Sequence, residues 1–462
     1  MFRPITLALL LAATPALSAP NAAPIAATSR IDQAASVRDR ALATSAAFPW
    51  LQDLTTSVGQ RLAGTPAEQR GRDWAMKAMA AAGLVNIKSE SFPLPVWERG
   101  AESAEIVGTG QKLAIAALGY SGATPADGIT APAVYFADYA ALEAAAPGSL
   151  AGKIAFIDHR MVRAQDGSSY GTNGAVRRSG PALAASKGAV ATLIRSLGTD
   201  YHRNPHTGAT TNAPGTTPIP SAALSLPDAE LLARRLAAGP VSIKLVSTPR
   251  LNPNGQSANV SGEIPGTGAG ASEIVVIGGH LDSWDIGQGV IDDGAGMAIT
   301  LAAAKAIKDA GVKPRRTIRV VFWGSEEVGI VGGRAYAEAH KADNIVLAAE
   351  SDFGADRIYR ISSNVAASGL PLIAEMQRVL APLGIAPTKD NSAGGGGDVS
   401  PLGALGAGIL ELEQDGTRYF DLHHTPDDTL DKVDRAQLDQ NVAAYAAAVW
   451  LTASDDRPLR TK

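Results

Sequence analysis

From residue 257 onward, unbroken apolar runs alternate with stretches whose apolar positions recur every three or four residues. Unbroken runs bounded by turns are typical of buried strands, and the longer period is typical of helices. The predicted order is a strand to His280, a helix from Asp293 to about Ala310, a strand to Trp323, a helix from about Gly333 to His340 and a strand to Ser351. This alternation predicts an α/β fold, a mainly parallel mixed sheet with helices on both faces. Ligands of such sheets bind beyond the carboxyl ends of the strands.

The first part of the chain has helical periodicity before it changes to strands. The helical pattern covers Ile31 to Thr56, and a second helix is predicted from about Pro66 to Ala82. Gly83 stops this helix, as glycine often does at helix ends. Strands are predicted at 86–95 and at 104–116. Helices and strands therefore begin soon after the amino terminus.

The pattern changes between about residues 122 and 250. Here the apolar runs are short and lie between prolines and loops, as at 133–136, 152–158 and 190–194. A polar loop at 200–217 carries His202 and His206. Short strands with frequent turn formers predict a separate β-rich region.

The first 19 residues have the pattern of an export signal. A short charged start is followed by the apolar run 5–13 and then by small residues. This run is well short of the roughly 20 residues that span a bilayer. We therefore predict a cleaved signal peptide at 1–18 and a secreted or periplasmic protein without a membrane span after cleavage.

Composition excludes several partners and stabilising devices. The formal net charge of the 462-residue chain is -4, and no basic block is present. A nucleic acid or an anionic membrane is therefore not a predicted partner. The chain has no cysteine, so its stability must come from core packing and from bound metal rather than from disulfides.

Imidazole and carboxylate groups follow several of the predicted strands. His280 and Asp282 lie two residues apart, so their side chains leave one face of the strand. Alone, this pair is equally consistent with a polar strand end before a helix. The other groups are Asp292, Glu326, Glu327, Glu350, Asp352, His423 and His424. Histidine and carboxylate ligands without cysteine favour a borderline ion such as zinc.

The order of these groups resembles the co-catalytic di-zinc exopeptidases of the aminopeptidase and carboxypeptidase Q type. The similarity is carried by His280-Leu-Asp-Ser-Trp-Asp-Ile-Gly-Gln-Gly-Val-Ile-Asp-Asp-Gly-Ala-Gly296 and by the Glu-Glu pair. It also includes Tyr170-Gly171, 191–196 and 205–208. The resemblance implies a zinc-exopeptidase fold with an inserted protease-associated domain. The domains would be 19–121 and 251–462 for the catalytic part and 122–250 for the insert.

The resemblance also implies roles for the site residues. His280 and Asp352 would hold one zinc ion, Glu327 and His424 the other, and Asp292 would bridge the two. Glu326 would be the general base, and Asp282 would support catalysis by orienting its neighbours, as would Asp428. His423 is expected to pack or to form a hydrogen bond.

The implied substrate is a dipeptide or short peptide with free termini. Candidates for binding it are Arg195, His206 and Asp398, and Arg177 and Arg178 are further candidates for pairing its carboxylate. The resemblance implies a homodimer. Three alternatives stay open: an aminopeptidase of broader specificity, a non-catalytic binding ectodomain of the same fold, and a single-zinc cyclase.

Overall fold

The computed structural model describes residues 29–462, and the predicted signal peptide lies outside this range. The strands are β1 Val85–Glu98, β2 Glu102–Ile106, β3 Gln111–Leu113, β4 Ile115–Ala117, β5 Ile129–Phe136, β6 Ile154–Ile157, β7 Ala191–Arg195, β8 Ser221–Leu224, β9 Ser242–Ser247, β10 Arg250–Ile264, β11 Glu273–His280, β12 Thr317–Trp323, β13 Asn344–Glu350, β14 Ile358–Asn364 and β15 Gly408–Gln414. The α-helices are α1 Arg30–Thr44, α2 Ala47–Ser57, α3 Pro66–Ala81, α4 Tyr139–Glu143, α5 Ser168–Arg178, α6 Gly180–Ser186, α7 Leu226–Ala238, α8 Ala295–Asp309, α9 Val331–Ala339, α10 Leu370–Leu380, α11 Ser400–Ala404, α12 Tyr419–Leu422 and α13 Arg435–Ser454. None of these helices combines the length and the apolar character that crossing a membrane requires.

Seven strands form the sheet of the larger unit, in the order β1-β10-β12-β11-β13-β15-β14. The four central strands, β12, β11, β13 and β15, are parallel to one another. Strands β10 and β14 pair antiparallel with the two outer strands of this group, and β1 pairs antiparallel with β10. The predicted mixed, mainly parallel sheet is therefore confirmed. Its parallel centre brings the carboxyl ends of β11, β12 and β13 to one edge.

Helices cover both faces of this sheet. One apolar core lies between the sheet and helices α1, α2, α3, α8, α10 and α13. A smaller core on the other face contains Trp323, Tyr336 and Leu402, which come from β12, α9 and α11. Strands buried on both faces are apolar along most of their length. This explains the nearly continuous apolar run of β12, in which every residue is buried and Arg319 pairs with Glu263 and Asp343.

The long strands β1 and β10 pair antiparallel along most of their length, from Val85 opposite Glu263 to Glu98 opposite Arg250. We call this pair the ribbon. The chain leaves the larger unit along β1 and returns along β10. All of residues 102–247, the smaller unit, are thus inserted between two adjacent strands of the larger unit.

The smaller unit is built on a sheet of eight strands in the order β3-β2-β9-β5-β6-β7-β8-β4. Its core is separate from those of the larger unit. Strands β2, β3 and β4 precede residue 122, where the predicted insert begins. The domain boundaries at 121 and 250, and the protease-associated character of the insert, stay predictions.

A partly buried cluster of charges fixes the amino-terminal end of β11. Glu273 accepts hydrogen bonds from Arg315 Nη2 at 2.7 Å and from Arg316 Nε at 2.7 Å. The side chain of Arg316 is only 1 % exposed, and it also donates to the Thr452 carbonyl at the end of α13. These hydrogen bonds hold the pKa of Glu273 at about 2. The cluster therefore ties the sheet to α13.

Replacing Glu273 by glutamine is expected to lower the free energy of unfolding by about 2 kcal/mol at pH 7, since a hydrogen bond to a charged group contributes about 1.5–3 kcal/mol. The pKa of Glu273 is depressed in the folded state, so its contribution is present above the ordinary value of 4.5. It is lost as the pH falls from there to about 2. Urea denaturation of both proteins at pH 7 and pH 3 measures this.

Glu338→Gln is the matched control, because Glu338 forms only an exposed ion pair with Lys341. Its effect is expected to stay below about 0.5 kcal/mol. A difference between wild type and Glu273→Gln that does not shrink at acid pH would contradict the assigned role of the Glu273 charge.

Candidate metal centre and active site

The predicted ligands lie together at the carboxyl edge of the larger sheet. His280 is the last residue of β11, Glu326 and Glu327 follow β12, and Asp352 follows β13. Asp292 lies in the turn at Val290–Gly294, just before α8, where its own backbone is extended rather than helical. His424 follows α12 in a loop and has a positive φ of 61°. The parallel register of the three strands brings these groups to one place.

The five candidate ligands form two clusters that share Asp292. On one side, His280 Nε2 lies 3.0 Å from Asp292 Oδ1 and 3.3 Å from Asp352 Oδ1. On the other side, His424 Nε2 lies 3.2 Å from Asp292 Oδ2 and 2.8 Å from Glu327 Oε2. Each oxygen of Asp292 thus faces a different imidazole. This is the arrangement that a bridging carboxylate requires.

The chemistry of these groups fits a bound cation. Asp292 Oδ2 and Glu327 Oε1 are buried and have no hydrogen-bond partner among the described residues. Buried carboxylate oxygens without a partner are costly. Burial and the neighbouring Asp292 raise the pKa of Glu327 to about 7. Such a concentration of buried acids is stabilised by positive charge, and the donor set of imidazole and carboxylate suits zinc.

His423 lies directly beside His424. The two rings are stacked with centroids 3.5 Å apart, and His423 Nε2 lies 3.6 Å from Asp292 Oδ2. Its Nδ1 is buried and has no hydrogen-bond partner within residues 29–462. Burial and the adjacent His424 lower the pKa of His423. His423 therefore packs as a neutral ring within reach of the same carboxylate.

Asp282 holds the loop that carries both glutamates. Its carboxylate accepts the backbone N–H of Glu326 at 3.0 Å and of Glu327 at 3.3 Å. His280 Nδ1 bonds instead to the Asp282 carbonyl, at 2.8 Å, while the nearer carboxylate oxygen is 3.6 Å away. An imidazole whose Nδ1–H donates to a carbonyl presents Nε2 as the ligand atom. Asp282 thus orients His280 through its backbone and the glutamates through its side chain.

Asp428 fixes the segment that carries Asp292. Its Oδ1 accepts the backbone N–H groups of Val290 at 2.8 Å and of Ile291 at 2.6 Å. Asp293 accepts the backbone N–H of His280 at 2.9 Å, and the peptide bond between Asp292 and Asp293 is cis. These hydrogen bonds to Asp428 and Asp293 hold the Asp292 carboxylate against β11.

Two residues near the site had no predicted role. Trp284 Nε1 donates to Glu327 Oε2 at 2.7 Å. Arg61 is fully buried and donates to the carbonyls of Leu281 and Gly289, at the two ends of the loop between His280 and Asp292. Trp284 belongs to the motif run, which was a signal for its importance. Arg61 follows a plain turn, and its contacts depend on chain segments more than 200 residues away.

Glu326 differs from Glu327 in its surroundings. It is half-buried and lines a cavity of about 660 Å³. Its carboxylate accepts no hydrogen bond from residues 29–462. Burial and the Asp352 carboxylate raise the pKa of Glu326 well above its usual value. Its free oxygens on the cavity wall can accept a proton once a bound cation offsets the neighbouring negative charge.

The cavity lies between the two units. The larger unit contributes Asp292, Glu327, Asp352 and His424, and the smaller unit contributes Tyr170, Arg177, Arg178 and 209–211. The smaller unit also contacts a candidate ligand directly. The N–H of Thr207 donates to the His424 carbonyl at 3.0 Å, and the Thr207 carbonyl lies 3.2 Å from His424 Nδ1.

The structure does not bring Arg195, His206 or Asp398 to the wall of this cavity. Arg195 is 4 % exposed and pairs with Asp158 at 2.6 Å inside the smaller unit. His206 is buried between Asp200 and the His423 carbonyl. Asp398 is fully buried and accepts the Gly333 N–H at 2.8 Å. In this structure their contacts support neighbouring segments, and their substrate role stays a prediction.

Comparison with known proteins identifies relatives that align with most of the chain. The model of peptidase family M28 matches residues 259–449. Carboxypeptidase Q from Bos taurus is 34% identical over 408 residues, which cover 87% of this chain and 83% of the bovine protein. Human carboxypeptidase Q is also 34% identical over the same length.

Solved structures agree with these relatives. The crystal structure of a peptidase M28 precursor from Shewanella amazonensis has a TM-score of 0.91 and 45% identity. The alignment covers 93% of this chain and 98% of that one. A zinc aminopeptidase from Bacillus subtilis has a TM-score of 0.63 at 20% identity, covering 90% of this chain and 95% of its own, and thus shares the fold. The predicted resemblance and zinc-exopeptidase fold are confirmed, and the chain belongs to peptidase family M28 as a homologue of carboxypeptidase Q.

Proposed function

We propose that this protein hydrolyses dipeptides or short peptides with free termini and uses two zinc ions per chain. Membership of its family makes it a zinc-dependent metallo-exopeptidase that acts on peptides. The proposal adds the number of ions, the roles of the residues and the class of peptide. It rests above all on Asp292, whose two oxygens face two imidazoles, each with its own further carboxylate.

Each proposed site has three groups of this chain. His280, Asp352 and one oxygen of Asp292 would hold one ion, and Glu327, His424 and the other oxygen would hold the second. When bound, zinc polarises the carbonyl of the scissile bond and lowers the pKa of the attacking water. The buried oxygens of Asp292 and Glu327 that lack hydrogen-bond partners support this assignment.

Glu326 is the proposed general base. It accepts a proton from the attacking water and delivers the proton to the nitrogen of the leaving amine. Its position on the cavity wall and its free carboxylate oxygens support this role. Asp282 holds the backbone of Glu326 and Glu327. Asp282 thereby fixes the position of the general base relative to the neighbouring metal ligand.

The walls of the cavity support a small substrate. Its volume of about 660 Å³ lies within the roughly 300–1,000 Å³ of small-molecule sites. Both units contribute to its lining, with Tyr170, Phe353, Tyr419 and Phe420 as aromatic walls. We further propose that the protein is exported through its amino-terminal leader and assembles as a homodimer, as the sequence resemblance implies.

The expected result of a substrate comparison is a preference for peptides with free termini. Unblocked dipeptides should have a kcat/KM at least about tenfold higher than their N-acetylated or amidated forms, because each block removes a charge-assisted hydrogen bond. Steady-state hydrolysis of a matched panel measures this. Equal cleavage of peptides blocked at both ends would refute the proposal. Efficient cleavage of tripeptides and longer chains would favour the aminopeptidase of broader specificity.

A further inference from the structure

Three arginines line the 660 Å³ cavity without pairing with any carboxylate of residues 29–462, and two of them, Arg178 and Arg334, are exposed. Arg178 is the last residue of α5 in the smaller unit, and its exposed side chain has no hydrogen bond to the rest of the described chain. Arg334 belongs to α9 of the larger unit. Its side chain donates only to the carbonyl of Gly329, at 2.6 Å. Each unit thus contributes one available guanidinium.

The third arginine of the cavity, Arg177, is buried against the metal centre, and its Nε has no hydrogen-bond partner among the described residues. It is 7 % exposed, its Nη1 lies 3.2 Å from His424 Nδ1, and its guanidinium lies over the ring of Tyr170. This arginine therefore supports the metal centre. Arg178 and Arg334 are the cations of the described cavity lining that remain for a ligand.

Neither guanidinium group is positioned by an ion pair, and each instead lies against a nearby part of its own unit. A Cβ at Gly174 would lie 2.3 Å from Arg178 Nη2, so the guanidinium occupies space that only glycine leaves open on this helix face. Arg334 is anchored to the loop that follows Glu326 and Glu327. The Arg334 guanidinium is therefore partly ordered before a ligand arrives and loses less entropy when it binds one.

A second cavity, of about 310 Å³, has an acidic lining. Its lining shares Asp352 and Phe353 with the first cavity and adds Asp166, Glu350, Glu411 and Glu413. No arginine or lysine is part of that lining. The carboxylates of this lining repel a negatively charged group of a substrate. An anionic group of a substrate is therefore directed to the arginine side of the metal centre.

We propose that Arg178 and Arg334 together bind a carboxylate on the C-terminal side of the scissile bond. The inference rests on the proposed function and specifies how one end of the substrate is recognised. Guanidinium groups bind carboxylates through paired, directional hydrogen bonds. The carboxylate has two sources, the α-carboxylate of a dipeptide or the side chain of an acidic C-terminal residue.

Three substrates distinguish these sources in the Arg178→Met and Arg334→Met variants and in the double variant. Ala-Ala carries only the α-carboxylate, Ala-Glu-amide only the side-chain carboxylate, and Ala-Ala-amide neither. We expect each single variant to lose roughly tenfold, and the double variant roughly a hundredfold, in kcat/KM for the substrate with the recognised carboxylate. Ala-Ala-amide should be cleaved at the wild-type rate.

Arg235→Met is the matched control, because Arg235 is an exposed arginine of the smaller unit on α7 and does not line the cavity. Metal content and Tm should equal those of wild type in all variants. If the double variant retains its wild-type preference for carboxylate substrates over Ala-Ala-amide, the inference is wrong. It is also wrong if all three substrates lose activity equally.

Binding separates this inference from the proposed function. Calorimetry in a Glu326→Gln background measures the affinity for Ala-Ala, Ala-Glu-amide and Ala-Ala-amide without turnover. Weaker binding of a carboxylate ligand after Arg178→Met and Arg334→Met supports the inference, even if the wild-type enzyme cleaves none of the three. In that case only the proposed function fails. Unchanged binding of both carboxylate ligands overturns the inference on its own.

Discussion

Replacing Glu326 by glutamine is expected to lower kcat by about 10²–10⁴-fold while metal content and Tm stay at wild-type values. The amide has the same shape as the carboxylate but cannot accept the proton of the attacking water. Glu326 lines the cavity and accepts no hydrogen bond from the described residues, so the fold does not depend on its charge. Steady-state kinetics and elemental analysis of the purified variant measure the two effects.

Glu327→Gln is the comparison that separates the adjacent glutamates. Glu327 Oε2 lies 2.8 Å from His424 Nε2, within one of the two clusters. The Glu327→Gln variant should therefore lose bound metal as well as activity. If both variants retain the same metal content and the same activity, the roles assigned to Glu326 and Glu327 are wrong.

The second large effect is expected when metal is removed. The purified enzyme should contain about two zinc ions per chain, as a bridged pair of sites requires. Dialysis against a chelator should abolish activity and lower the Tm, because a ligand that binds only the folded state stabilises it by about 4 kcal/mol at a thousandfold excess over its Kd. Readdition of zinc should restore both. Elemental analysis and thermal denaturation measure this.

Asp292→Asn should lower the occupancy of both ions at once, because each oxygen of Asp292 faces a different imidazole. Asp309→Asn, which removes an exposed carboxylate paired with Lys305 on α8, is the control. Active enzyme with at most one ion would contradict the proposal of two ions. Loss of only one ion in Asp292→Asn would contradict the shared carboxylate.

The sequence predicted the larger sheet well because its information is local. An apolar run such as 317–323 indicates a strand buried on both faces, and the helix that follows it ends near His340 as expected. Parallel strands then place the groups after them at one edge. The convergence of His280, Glu327 and Asp352 follows from these two rules alone.

The features of the site that the sequence did not predict depend on contacts between distant segments, and the periodicity of the sequence carries no information about such contacts. An arginine such as Arg195 is a residue type that often binds carboxylates. In the fold, however, it is buried against Asp158, which lies 37 residues earlier in the chain. The contact between Asp282 and the Glu326 and Glu327 N–H groups depends on the backbone at Ser325, whose φ is 66°. Arg334 lies in a predicted helix without a motif. Only the folded chain shows that it faces the cavity.

The contact between Thr207 and His424 restricts how this protein can be recombined with its relatives. Because the chain enters and leaves the smaller unit through the two paired strands of the ribbon, this unit could be replaced by that of a homologue at two neighbouring junctions. However, the loop at 205–208 forms part of the support of His424 through Thr207 and of His423 through His206. A chimera that exchanges residues 102–247 must therefore carry a matching loop at 422–425. These two short segments must therefore be exchanged together, although more than 200 residues separate them.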